Sequence, residues 1–114
     1  MLYNIIAIIL ALAAPKADPI DDARKAFSNC LFTLHNDNIK VNISLADFRK
    51  LADSGCTVER EAYHAIIVKS ERNFGSNANE AAAYADEEVQ AIISVIKTNY
   101  AENLDKGAVL TLEK

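Results

Sequence analysis

Asn77 to Asn103 reads NANEAAAYADEEVQAIISVIKTNYAEN. Val89, Ile92, Ile93, Ile96 and Tyr100 recur there at the i, i+3, i+4, i+7 spacing of one helical face, and Ala78, Ala81, Ala82 and Ala85 continue that face toward the start. The spacing predicts one long helix whose apolar stripe the rest of the chain has to cover. Ile92, Ile93, Val95 and Ile96 make it apolar over much of its circumference, more than one thin layer hides. Ile92, Ile93, Val95, Ile96 and Tyr100 are therefore the expected surface for a partner protein or a second copy.

Working outward, Gly75 stops a preceding helix that runs from Thr57, its expected cap, to about Phe74. Val58, Ala62, Ala65, Ile66 and the stem of Lys69 form its inward face, with Tyr63 and Ile67 widening the stripe. Before it lies a short helix capped by Ser44, burying Leu45, Phe48, Leu51 and Ala52 and ended by Gly55. Ile39 to Ile43 alternates apolar and polar residues. The chain offers no convincing partner strand except Val109 to Leu112, so an extended linker is expected. Asn42, Ile43 and Ser44 also make a glycosylation sequon, relevant only in a eukaryotic secretory host.

The first helix of this body opens at Asp18 and Pro19, with Asp21 and Asp22 in the first turn where the helix dipole favours negative charge. Ile20, Ala23, Phe27, Cys30, Leu31 and Leu34 share one face. The helix should fade near His35, because Asn36, Asp37 and Asn38 are turn formers. On the far side of the long helix, Gly107 is the expected stop and 108–114 a mobile tail. The fold class is all-α: a small antiparallel bundle of three main helices and one short one, over residues 18–107.

Ile5 to Ala14 is an uninterrupted apolar run, too short for the roughly 20 residues that cross a bilayer but suited to a secretory signal over residues 1–17. Cleavage is expected after Ala13 or Ala17, although Met1 to Asn4 carries no Lys or Arg. Two cysteines, Cys30 and Cys56, fit that reading, since an even count in a small exported chain points to a disulfide. Processing at Ala17 leaves 11 basic against 16 acidic side chains, a net charge of about −5. An acidic chain with scattered Lys and Arg repels phosphate backbones, so neither nucleic acid nor an anionic membrane is an expected partner, and no stable membrane anchor remains after processing.

Catalytic signals are sparse. Gly55, Gly75 and Gly107 all serve as helix stops, leaving no phosphate-binding loop, and no cofactor is expected. The sharpest chemical feature is Glu61 and His64, an E-x-x-H pair whose spacing sends both side chains from one helical face, as in di-iron bundles. A second copy of the motif is missing. The acidic run Asp86, Glu87, Glu88 lacks a calcium loop and reads as a solvated helix face.

With Asp21 to Arg24, Cys30, Leu45 to Phe48, Cys56 followed by Glu59 to Tyr63, and the acidic stretch Ala85 to Val89 in place, the chain resembles small uncharacterised exported helical proteins of alphaproteobacteria. That resemblance implies export, the Cys30–Cys56 disulfide and the helical fold, and no activity. The expectation is a periplasmic or secreted, non-enzymatic module that binds a protein or itself. The alternative is a metal-binding bundle or metalloenzyme using Glu61 and His64.

Overall fold

The computed structural model describes residues 18–114; the expected signal at 1–17 lies outside the described residues. Four helices follow in order, α1 (Pro19–Lys40), α2 (Leu45–Ser54), α3 (Thr57–Asn73) and α4 (Ala78–Asn103), and the described residues hold no strand. The long helix α4 packs against each of the other three, and α1 lies beside α3. Ala81, Ala85, Val89, Ile93, Ile96 and Tyr100 form its buried stripe. None of the described helices is long and apolar enough to cross a membrane.

Local signals explain most helix ends. Asp18 accepts from the amides of Ile20 and Asp21, with Pro19 in the first turn. Ser44 caps α2 through the Asp47 amide. Asn77 and Glu80 form a reciprocal capping box on α4. Gly75, at φ 104°, closes α3: its amide donates to Arg72 O and that of Ser76 to Glu71 O, a Schellman arrangement. Gly55 has an ordinary φ of −83°. Space requires glycine there, because a Cβ would lie 2.7 Å from Leu51 O and 3.1 Å from the Leu34 side chain. Gly107, at φ 67°, sits in the turn beyond α4, which itself ends at Asn103.

Four expectations are corrected. First, α1 does not fade at His35 but continues to Lys40, and the expected linker over Ile39 to Ile43 begins as helix. Burial of His35 and Ile39 outweighs the turn preference of Asn36, Asp37 and Asn38. Asn42 supplies the left-handed stop at φ 58°, a conformation Asn tolerates, with Ile43 donating to Asn38 O. Second, the cap position of α3 is Cys56, left-handed at φ 55°, and Thr57 is already helical. Third, the buried face of α3 is Tyr63 and Ile67; Val58 is 77% exposed, Ala62, Ala65 and Lys69 are exposed, and Ile66 is half-buried. Fourth, on the other helices Ala78 and Leu51 are exposed rather than buried.

Tyr100 is the keystone of the core. Its ring stacks on Phe48 at 3.9 Å between centroids and 4° between planes, and meets His35 edge-on at 5.5 Å. Its hydroxyl reaches the carbonyls of Asn38 and Ile43, so one side chain of α4 fixes the α1–α2 turn. Desolvation of this buried phenol holds its pKa above the ordinary value. At the other end of the bundle Phe27 and Tyr63 pack at 6.1 Å.

Candidate functional site

Cys30, in the middle of α1, and Cys56, between α2 and α3, form a disulfide with Cα atoms 6.0 Å apart. Glu59 lies beside it, and these three are the group among the described residues whose ligand atoms all fall within 4.8 Å of one another. Both sulfurs are occupied by the bond. Glu61 and His64 do not gather a third ligand at that spacing. Instead His64 Nε2 lies 2.8 Å from Asp86 Oδ1 across the α3–α4 seam, and Glu61 is exposed.

The five residues expected at an interface divide. Ile93, Ile96 and Tyr100 are at most 1% exposed inside the protomer, Ile92 is half-buried and Val95 is 57% exposed. Val95 is flanked by Ser94, Thr98, Asn99 and Glu102, a mostly polar surround. A more apolar surface lies where α3 ends against the start of α1: Phe74 is 85% exposed, and Ile20 and Ile66 line the same groove.

The segment expected to be a mobile tail lies along α1. Asn36 Nδ2 donates to Leu110 O and the Leu110 amide donates to Asn36 Oδ1, both at 2.8 Å. Asn29 does the same with the carbonyl and amide of Glu113, again at 2.8 Å. The Arg24 guanidinium forks onto both Glu113 carboxylate oxygens at 2.9 Å and also pairs with Asp21. Leu110 packs against the core.

Behind Asn36 stands His35, a fully buried polar side chain. The Asn36 amide orientation is set by Leu110, so the ring nitrogen 2.8 Å from Asn36 Oδ1 must carry the hydrogen and donate. His35 Nε2 is then free to accept from Asn103 Nδ2 at 3.2 Å. A chain of hydrogen bonds thus joins α4, α1 and the C-terminal segment, and no buried side-chain polar atom of the described residues lacks a partner. Sequence reasoning missed Arg24, Asn29, His35, Asn36 and Glu113. The available signal was the seven-residue spacing of Asn29 and Asn36, which puts two amides two turns apart on one face.

The Arg24 fork holds the Glu113 carboxyl below its ordinary value of 4.5, against the opposing effect of burial, and holds Asp21 down as well. A depressed carboxylate stabilises docking at pH above its unfolded value, and that contribution is lost as pH falls through the lower, folded value. The expected result is that amide chemical shifts of Leu110 and Glu113 stay constant from pH 7 down to the ordinary carboxylate range and move toward undocked values as pH falls below it. Arg24→Gln should flatten that pH dependence, because a carboxyl with the same pKa docked and undocked is not linked to docking; an unchanged transition would show that the pair does not control docking.

No protein-family model matches the chain, and neither curated proteins nor solved structures give a significant match.

Proposed function

We propose that this small helical protein is an exported, periplasmic, non-enzymatic module that works by binding another protein or a second copy of itself. The observation that carries the reading is apolar surface left uncovered on a disulfide-bonded bundle: Phe74 is 85% exposed beside Ile20 and Ile66, and Val95 is 57% exposed on α4. Isolated exposed side chains are ordinary, but a large aromatic at the mouth of an apolar groove of about 350 Å³ is a typical anchor position. The disulfide supports an oxidising compartment.

A second reading, metal binding through Glu61 and His64, is favoured by one contact: Asp86 brings another carboxylate to within 2.8 Å of the imidazole. Native mass spectrometry of the chain expressed with its own N-terminus in a host with an oxidising periplasm separates these readings. The expected species is processed, oxidised and metal-free, and associates with itself or with a host protein. Phe74→Lys or Val95→Lys should reduce the associated fraction several-fold. An unprocessed, reduced chain removes export. Association and solubility unchanged in both variants remove the interface, and a stoichiometric metal lost on His64→Ala installs the second reading.

A further inference from the structure

We propose that the face of α1 carrying Arg24, Asn29 and Asn36 is a docking site for an extended peptide segment of a partner protein, with an apolar side chain and, three residues on, a carboxylate. The chain's own 108–114 segment occupies that site in cis. This rests on the protein-binding reading above and names the partner's chemistry.

The geometry is that of a strand-receiving edge built from side chains. Seven residues of helix rise about 10.5 Å, and three residues of extended chain span about 10 Å. Asn29 and Asn36 therefore meet two main-chain positions one such step apart, Glu113 and Leu110, and each amide satisfies both the N–H and the C=O of its partner residue. Contacts of this kind read backbone and accept any side chain. Selectivity comes from two places: the Arg24 fork, which takes a carboxylate, and the contact between Leu110 and the core.

The receiving side is pre-organised, because Asn36 is held from behind by the fully buried His35. Its present occupant covers the face only in part. No residue of 108–114 is fully buried, and Val109 and Leu112 are 57% and 44% exposed. The segment joins the bundle through Gly107, beyond the end of α4, so it can leave without unwinding any helix. A second copy offers the same contacts at a concentration far below the effective concentration of the tethered segment, so at ordinary protein concentrations it does not displace that segment. A partner peptide that keeps the two chemical features and also covers the exposed positions can displace it.

The test uses a fluorescent peptide of the sequence GAVLTLEK, residues 107–114, titrated into full-length protein by anisotropy. A full-length chain carrying Leu110→Asp and Glu113→Lys has a defective cis segment and should bind the peptide at least about tenfold more tightly than the unaltered chain. Adding Asn29→Ala and Arg24→Ala should remove that gain. In the unaltered chain, excess peptide should accelerate hydrogen exchange at the Leu110 and Glu113 amides, a readout independent of how the variants fold. Equal affinity for both chains, or no acceleration at millimolar peptide, overturns the proposal. So does a concentration-dependent dimer lost on Leu110→Asp, which assigns the face to a second copy. Association that still responds to Phe74→Lys after such a failure leaves the broader protein-binding reading standing.

Discussion

Tyr100→Ala is expected to lower the unfolding free energy by about 3 to 5 kcal/mol, the range for truncating a large buried aromatic. That is a large share of the stability of a domain this size, typically about 5 to 15 kcal/mol. The side chain is fully buried, stacked on Phe48, in edge contact with His35 and hydrogen-bonded to the α1–α2 turn. Its loss leaves a cavity where α1, α2 and α4 meet. Urea denaturation should show the midpoint falling with little change in slope. Tyr100→Phe separates the two contributions: it keeps the stack and removes the hydroxyl, and should cost only about 0.5 to 1.5 kcal/mol. Equal losses in the two variants would show that the turn contact, and not the aromatic stack, carries the effect.

Removing the disulfide is the second large effect. Cys30 and Cys56 are 26 residues apart, and the chain-entropy relation gives about 3.5 kcal/mol for a loop of that length. One local term works against the full value. Cys56 adopts a left-handed backbone that costs a non-glycine residue about 1 to 2 kcal/mol, and freeing it lets that strain relax. The paired Cys30→Ala, Cys56→Ala variant should therefore be destabilised by about 1.5 to 2.5 kcal/mol. Its hydrogen exchange should accelerate first at the α2–α3 junction. A variant as stable as the oxidised chain would mean that helix packing alone fixes that junction.

The two effects act at opposite ends of α2, and this bears on the C-terminal segment. Tyr100 fixes the turn that ends α1, while the disulfide fixes the middle of α1 against the start of α3. Between those anchors lies the stretch of α1 that presents Asn36 and His35. The Asn36 end of the receiving face is thus held from both sides, whereas 108–114 is held by side-chain amides, one ion pair and the contact of Leu110 with the core. On the proposal above, that contrast in local stability is what allows the segment to exchange for another peptide.

Features that close within a few residues of each position could be read from the chain alone. The four helices, the caps at Asp18, Ser44 and Asn77 and the left-handed stop at Gly75 were legible because each depends on hydrogen bonds that close within about one turn. The α4 stripe was legible because its larger apolar residues recur on one face. The Cys30–Cys56 pairing was legible because there are only two cysteines. The face of α3 was not, since Val58, Ala62, Tyr63, Ile66, Ile67 and Val68 surround much of that helix, and two neighbours, α1 and α4, together select Tyr63 and Ile67. Nor were the last turn of α1, the burial of His35 or the seat of 108–114. Those rest on partners 57 to 89 residues away, from Tyr100 to Ile43 and from Arg24 to Glu113. Pairings at such separations leave no periodic trace in the chain. Only packing the helices together places an asparagine amide opposite a main-chain carbonyl or an imidazole edge-on against a stacked pair of aromatic rings.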